Sequence, residues 1–346
     1  MSGVTTRETQ KRRIGERDSL WDVIVKCDDI CFTHILPRLN ANDLKFLYGV
    51  NTETRKLVKR STRKGELEKG FKVKEMSSIL TLEVAWEHKS FWRSRWDERS
   101  FCWRVAYTNK LELLKWAREE KKCKWGGWTI TAAAAQGNLE MVKYCVANAC
   151  PINKYACAFA ADGGHLECLK YLREEAKAPW NSDTAAGAAS NGHLHILEYL
   201  VERKYNKYHE TACEYAAKNG HLDCLKYLHE TVKAPWSSYT ANGAALCGHL
   251  HILEYLVERK YNKYVETACQ YAAKFGHLDC LKYLHKTARA PLDYLAVREA
   301  TKKNQTECLR YLLDNYGPLP YGWRYEHGEL RVPESEVFSS SESESE

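Results

Sequence analysis

The feature that most constrains this chain of 346 residues is an internal repeat with a step of 28 residues. A glycine or an asparagine stands at every step from residue 109 to residue 304, and one of these steps is 27 residues long instead of 28. A period of this length is typical of repeat proteins, in which each unit buries its apolar face against its neighbours. The turn positions are Asn109, Gly137, Gly164, Gly192, Gly220, Gly248, Gly276 and Asn304.

The residues on either side of each turn predict a short helix before the turn and a longer helix after it in each unit. Glycine and asparagine tolerate the left-handed backbone with which many helices end. Paired alanines such as Ala216 and Ala217 precede the turn, where small side chains let two helices approach closely. The apolar residues that follow have the spacing of an amphipathic helix. We therefore predict an all-α fold, a helical-repeat solenoid of about eight helix-turn-helix units over residues 100–315 with a helical region before it.

A longer period overlies this repeat. The position five residues before the turn alternates between an aromatic ring and a glycine, at Phe159, Gly187, Tyr215, Gly243 and Tyr271. A bulky ring beside a missing side chain allows neighbouring layers to interdigitate at the density of a protein interior. We interpret the alternation as core packing.

Residues 211–228 carry an Ala-Ala-x-x-Gly-His-Leu core followed by leucines, and this pattern resembles the ankyrin repeat. The resemblance extends over about residues 100–315, in units about five residues shorter than the usual ankyrin length of roughly 33 residues. This compact form is similar to the ankyrin repeats of algal and large-virus proteins. The resemblance implies a protein-binding scaffold that is not an enzyme and needs no cofactor.

The resemblance also implies where a protein target binds. In ankyrin repeats the two residues between Ala-Ala and Gly-His face the concave surface and contact partners. The corresponding residues here are Ser190, Asn191, Lys218, Asn219, Leu246, Cys247, Lys274 and Phe275. Leu246 and Phe275, with Lys218 and Lys274 around them, have the composition of a binding hot spot with a polar rim. The alternative is that both apolar side chains pack against neighbouring units.

Eight of the fourteen cysteines follow the repeat. Two columns, represented by Cys213 and Cys224, otherwise hold small or aliphatic residues, so we expect buried free thiols in a reducing compartment. Histidines such as His193 stand directly after the turn glycine, one repeat apart, which favours local hydrogen bonding over shared metal ligation. No nucleophile–base pair, phosphate-binding loop or metal cluster is evident in the sequence, and we assign no catalytic, cofactor or metal residues.

Residues 21–64 have a second resemblance, to the F-box. Its pattern of an Ile-Leu-x-x-Leu run, an Asp-Leu pair and a Leu-x-x-Val run corresponds to Ile35, Leu36, Leu39, Asp43, Leu44, Leu47 and Val50. The resemblance implies binding to a Skp1-type adaptor, and hence a substrate-receptor subunit of a ubiquitin ligase. The usual Leu-Pro start is absent, and Pro37 stands where the first helix should run. The alternative is a helical cap on the first repeat unit.

The remaining segments differ in composition. We expect a flexible arm at residues 1–20, a helical linker or imperfect repeat at 65–99, a cap over the last repeat at 316–333, and a disordered acidic Ser/Glu tail at 334–346. Aromatic residues in the connecting loops, such as Trp180 and Tyr208, are interpreted as plugs between units rather than as a base-stacking ladder.

Charge and hydropathy narrow the partners further. The net charge of +7 comes with both signs spread along the chain and no groove-reading motif, so the sequence does not favour nucleic acid as a partner. The basic residues from Arg55 to Lys64 are interpreted as a solvated helix face. The chain has no apolar run of roughly 18 residues and no secretory signal. We therefore expect no membrane partner and a location in the cytoplasm or nucleus.

Overall fold

The computed structural model describes residues 32, 36–38, 44, 46–47, 52–63, 72–87, 89, 97–315 and 317–333. The predicted arm at 1–20 and the predicted tail at 334–346 lie outside the described residues. The chain divides into two compact units. The N-terminal unit comprises Met1–Ala132 with Asn148–Pro151, and the C-terminal unit comprises Ala133–Ala147 with Ile152–Glu346.

The described elements of the N-terminal unit are helical. Single 3-10 turns occupy Leu36–Arg38 and Val73–Glu75. The α-helices are α1 (Thr52–Arg60), α2 (Ile79–Glu87), α3 (Glu98–Ala106) and α4 (Leu111–Glu119), followed by α5 (Gly127–Ala135), which spans the boundary between the two units. One aromatic side chain of the predicted linker is packed, since the ring of Trp86 meets Phe101 edge-on with 5.3 Å between centroids.

The C-terminal unit continues the same pattern of helix pairs. The helices are α6 (Leu139–Ala147), α7 (Ala156–Asp162), α8 (Leu166–Lys170), α9 (Ser182–Ser190), α10 (Leu194–Glu202), α11 (Glu210–Lys218), α12 (Leu222–Lys226), α13 (Ser238–Leu246), α14 (Leu250–Glu258), α15 (Glu266–Lys274), α16 (Leu278–Lys286), α17 (Tyr294–Lys302) and α18 (Thr306–Asp314). Helices α8 and α12 run on into π-helical turns at Tyr171–Glu175 and Tyr227–Val232. The first helices of successive pairs, from α7 to α17, pack side by side.

This arrangement confirms the predicted all-α helical-repeat fold. Over residues 97–315, which are described without a gap, the helices form eight pairs, from α3–α4 to α17–α18. The segment after them departs from the all-helical prediction, because Arg324–Glu326 (β1) and Glu329–Arg331 (β2) form an antiparallel hairpin. Positive φ angles at His327 and Gly328 suit the tight turn of a two-residue hairpin loop.

The turn between the two helices of a unit is left-handed, as predicted. All eight turn residues have positive φ angles. At Gly164 the φ angle is +75°, and the turn is closed by hydrogen bonds from Gly164 N to Ala161 O (3.2 Å) and from His165 N to Ala160 O (2.9 Å). A Cβ atom at Gly164 would also lie 2.7 Å from the ring of His193 in the next unit. Glycine is therefore required here for backbone angle and for space.

Histidines that follow the turn glycines join neighbouring units. His193 Nε2 donates a hydrogen bond to Asp162 O at 3.1 Å, and His277 Nε2 donates to Leu246 O at the same distance. Each acceptor is a carbonyl at the end of the first helix of the preceding unit. The predicted hydrogen bonding at the turn is thus observed, and it links units rather than closing a single turn.

The core between helices consists of small residues. The paired alanines, such as Ala216 and Ala217, are fully buried. All twelve cysteines in the described part of the chain are free thiols, and eleven are buried, the exception being Cys247. Burial raises the pKa of Cys213 to about 12 and that of Cys224 to about 11, so these thiols stay neutral. The expectation that both cysteine columns are core residues is confirmed.

Replacing His193 and His249 by glutamine is expected to reduce the loss of stability on acidification. Desolvation lowers the pKa of both imidazoles, so the unfolded chain takes up protons first as the pH falls. The stability contributed by the neutral rings is therefore present above roughly pH 6.5 and is lost below it. The double variant should lose less unfolding free energy than the wild type between about pH 7.5 and 5.5, by less than about 1 kcal/mol because the rings are partly exposed.

Urea unfolding at the two pH values measures this difference. Glutamine fits the site, since Gln305 occupies the equivalent place against Gly276 in the last unit. The matched control is His327→Gln, which replaces an exposed histidine of the C-terminal hairpin, outside the column. An equal loss of stability in the wild type and the double variant would contradict the proposed role of the neutral rings.

Candidate protein-binding face

One stripe of side chains on the first helices is turned away from the alanine core. It consists of the residues nine, five and two positions before each turn, a spacing that places them on one helix face. We call this stripe the first-helix face. In three successive units of the C-terminal unit it comprises Tyr155, Phe159 and Asp162 of α7 with its N-cap, Asp183, Gly187 and Ser190 of α9, and Thr211, Tyr215 and Lys218 of α11.

A groove of about 350 Å³ opens on this face among α7, α9 and α11. We call it the Gly187 groove. Its walls include the rings of Tyr155, Phe159 and Tyr215 and the carboxylates of Asp162 and Asp183, over small residues of α7 and α9. Among the described residues that line it, none is basic. The groove exists because Gly187 carries no side chain between two aromatic positions.

The alternation of rings and glycines is therefore only partly the core packing that the sequence suggested. The glycines do allow close helix packing, since a Cβ atom at Gly187 would lie 3.1 Å from Asp162 Cβ, and one at Gly243 would lie 3.0 Å from Lys218 Cβ. The rings, in contrast, border a groove, and 40% of Tyr215 is exposed. The interpretation of the rings as interdigitating core residues was wrong, because this helix face has no further layer above it within the described residues.

Amide side chains orient the two carboxylates of the groove. Asp162 Oδ1 accepts a hydrogen bond from Asn191 Nδ2 at 2.9 Å, and Asp183 Oδ2 accepts one from Asn181 Nδ2 at 2.9 Å. Asp183 lies in the first turn of α9, where the helix dipole stabilises a negative charge. Both aspartates remain exposed. The groove thus presents two oriented negative charges beside aromatic surfaces.

The eight predicted contact residues lie at the ends of the first helices, and several are engaged with neighbouring units. Asn191 donates to Asp162, and Asn219 Nδ2 donates to Ser190 O (2.6 Å) and Ser190 Oγ (3.0 Å). In each case the asparagine before a turn bonds to the preceding unit. These three predicted residues therefore stabilise the stacking of units, a role that the sequence analysis did not foresee.

The predicted hot spot is partly accessible. Phe275 is 46% exposed, whereas Leu246 is half-buried. Lys274 Nζ forms an ion pair with Glu299 Oε2 at 3.0 Å and lies 5.8 Å from the centroid of the Phe275 ring. Lys218 and Cys247 are exposed. The structure thus places Phe275 at the surface. The exposure of Leu246 is intermediate between that of a surface contact residue and that of a residue packed against a neighbouring unit.

Two of the comparisons with known proteins gave a match. Residues 157–235 and 241–320 match the family model described as ankyrin repeats (3 copies). These two segments are ankyrin repeats. The human ASB11 ankyrin repeat domain is 22% identical in sequence, with an alignment that covers 58% of this chain and 88% of that chain and a TM-score of 0.33. A search of curated proteins found no match. Ankyrin repeats as a class mediate protein–protein interaction.

Apart from Ser190, the residues of the Gly187 groove were missed as a site at the sequence level. The signal lay in the spacing of Tyr155, Phe159 and Asp162, which form an i, i+4, i+7 stripe that avoids the alanines. The predicted contact residues were instead the pair directly before each turn glycine, and only one position of that pair belongs to this stripe. The described residues contain neither a cluster of three potential metal ligands nor a helix long and apolar enough to span a bilayer.

The F-box-like segment forms a hydrophobic cluster of its own. Leu36 and Leu44 are fully buried with Leu57 and Val58, and Leu47 is partly buried against them. The side chains of Leu36 and Leu44 lie inside this cluster, and their contact with an adaptor stays a prediction. The other predicted adaptor-binding residues, Ile35, Leu39, Asp43 and Val50, lie outside the described residues.

The aromatic residues of the inter-repeat loops contact one another, as the plug interpretation expects. Tyr205 lies between Trp180 and Tyr208, with ring centroids 5.2 and 4.8 Å away. The guanidinium of Arg173 lies 4.3 Å from the centroid of Trp180. These rings are therefore engaged within the protein rather than presented for stacking with bases.

Separate serine substitutions at Leu246 and Phe275 should distinguish a surface residue from a packing residue. We expect Phe275→Ser to change the unfolding free energy by at most about 0.5 kcal/mol, because much of the ring is already in water. Leu246→Ser should cost about 1–2 kcal/mol, because half-buried apolar surface is lost. Urea unfolding with unchanged m-values measures both.

The matched control is Leu253→Ser, at a fully buried leucine on α14. It should destabilise by about 3 kcal/mol or more, because it leaves a cavity and buries a hydroxyl. A loss of about 2 kcal/mol or more in Phe275→Ser would place that ring in the core.

Proposed function

We propose that this chain is a protein-binding scaffold whose partner docks on the first-helix face of the C-terminal unit. The observation that carries the proposal is the Gly187 groove together with exposed aromatic side chains on the same face, Tyr215 and Tyr239, and directly beside it, Phe275, which stands one position before its turn. Tyr215, Tyr239 and Phe275 are 40%, 58% and 46% exposed. Exposed aromatic side chains near a groove are typical of protein interfaces.

The proposal assigns different weights to the predicted contact residues. Lys218, Cys247 and Phe275 are exposed and are available for a partner. Asn191 and Asn219 already hydrogen-bond to the preceding unit, so their substitution would alter stacking as well as binding. Three further predicted residues are only partly exposed, namely Ser190, Leu246 and Lys274. The proposed contact surface therefore centres on the aromatic residues and on Lys218.

A pair of serine substitutions tests this surface. Tyr215→Ser with Phe275→Ser should weaken binding to a purified partner by about 2 kcal/mol or more, roughly 30-fold, because exposed rings on such faces act as hot spots. Proteins cross-linked to the wild type supply the partner, and titration with that purified protein supplies the affinity. The thermal midpoint of the double variant should match that of the wild type.

Tyr321→Ser is the matched control, since Tyr321 is fully exposed but lies after the last repeat. Its affinity for the partner should equal that of the wild type. A partner that binds the double variant as tightly as the wild type would exclude the first-helix face as the docking surface.

We propose a second, more specific function for the N-terminal segment: binding a Skp1-type adaptor, which would make the chain a substrate receptor of a ubiquitin ligase. The support is the F-box-like pattern together with the cluster of Leu36, Leu44, Leu57 and Val58, which provides a folded support for a docking surface. Arg63 Nη1 donates to Leu36 O at 2.6 Å and ties the end of this region to the cluster. The alternative remains a cap for the first repeat unit.

Titration of the full chain with a purified Skp1-type adaptor tests this proposal. The wild type should bind at micromolar concentration or tighter, and Leu47→Asp should weaken binding at least about tenfold by placing a charge on the partly buried contact edge. Leu80→Asp, at an exposed leucine of α2, is the matched control and should bind normally. A wild type that does not bind at micromolar concentration would leave the cap as the role of this segment.

We further propose a reducing compartment, cytoplasm or nucleus, as the location of the chain. The support is the set of twelve cysteines in the described residues that form no disulfide, eleven of them in the core. The short 28-residue step likewise supports a proposed kinship with the compact ankyrin repeats of algal and large-virus proteins.

A further inference from the structure

The Gly187 groove has a chemical character that narrows what can enter it. Three rings, Tyr155 and Phe159 of one unit and Tyr215 of the unit two further along, converge with the carboxylates of Asp162 and Asp183 around one cavity. The face of an aromatic ring carries partial negative charge and attracts cations. Rings and carboxylates together therefore favour a positively charged group over a neutral or an anionic one.

The repeat itself provides a comparison for Asp162. The residue two positions before one turn faces the residue five positions before the next turn, as the contacts of Asp162 with Gly187 and of Lys218 with Gly243 show. At the corresponding position further along, Lys274 forms an ion pair with Glu299. The same register thus carries a complete charge pair in one place and, at Asp162, an acid opposite a glycine.

We propose that the Gly187 groove receives a lysine or arginine side chain of the protein partner. The inference rests on the proposed docking of a partner on the first-helix face. The incoming cation takes the place that Gly187 leaves vacant, contacts the rings and pairs with Asp162 and Asp183. A volume of about 350 Å³ accommodates one long basic side chain.

Two features of the surroundings agree with this assignment. Lys154 Nζ lies 5.0 Å from the centroid of Tyr155, so one of the rings that line the groove already has a cation beside it. At Gly243 the equivalent residues are Lys218 and Tyr239 in place of Asp162 and Asp183. That neighbouring site lacks both carboxylates, so the preference for a cation belongs to the Gly187 groove.

Methyl NMR of the full chain labelled at alanine tests the proposal directly. Ala158 and Ala186 line the groove, whereas Ala241 and Ala244 lie elsewhere and serve as internal references. The probes are N-acetyl-arginine methylamide and N-acetyl-norleucine methylamide, which differ in charge. The arginine probe should shift the Ala158 and Ala186 signals saturably below about 50 mM. The norleucine probe should not.

Neutral variants of the two acids provide the second arm. Asp162→Asn with Asp183→Asn should weaken binding of the arginine probe about five- to tenfold, because the variant removes two exposed charge pairs. Asp223→Asn with Asp279→Asn, at exposed aspartates on second helices, is the matched control and should leave it unchanged. Equal shifts with norleucine, no saturable shift with arginine, or full affinity in the groove variant would each overturn the proposal.

The purified partner separates this inference from the proposed function. If the partner binds the Asp162→Asn, Asp183→Asn variant with undiminished affinity but loses affinity for Tyr215→Ser with Phe275→Ser, the face is correct and the cation site is wrong. If the arginine probe binds in the groove but the affinity of the partner is unchanged by the Tyr215 and Phe275 substitutions, the proposed docking face is wrong. Partner affinity reduced by both pairs supports both.

Discussion

The C-terminal unit depends on one contact, in which the left-handed turn of a repeat packs against the histidine of the next repeat. Gly164 ends the first helix of its unit with a positive φ angle, and its missing side chain leaves room for the ring of His193. The same ring then bonds to Asp162 O. One residue therefore sets both the reversal of the chain and the approach of the following unit. The buried alanine pairs complete the contact between first helices.

With the units held at this spacing, the first-helix face becomes the variable part of the molecule. Residues 192–208 and 248–264 are identical in sequence and form the second helices and the loops after them. The corresponding face positions differ, with Asp162 against Lys218 and Asp183 against Tyr239. Packing thus repeats while surface chemistry changes. A scaffold built in this way can present an acidic aromatic groove in one place and a basic, more apolar surface two units later.

The N-terminal segment illustrates the limit of a hydrophobic pattern. Leucines at F-box-like spacing predict a helical segment, and Leu36 and Leu44 do lie in a compact cluster with Leu57 and Val58. The same pattern, however, serves either an internal core or a surface for an adaptor, since both require apolar residues on one helix face. Burial places these two leucines in the core, and their role in adaptor binding stays a prediction.

The sequence by itself determined the period, the helix pairs, the left-handed turns and the buried cysteines, because these follow from local propensity and from which residues share a helix face. It did not reveal the left-handed residues that end the second helices, such as Lys177 and Lys233, because lysine gives no turn signal. Nor did it show that Asn191 and Asn219 bond to the preceding unit, or that Tyr155, Phe159 and Tyr215 border one groove. Those contacts join residues about one or two repeats apart. Only the distance and angle at which units stack decide which of them meet.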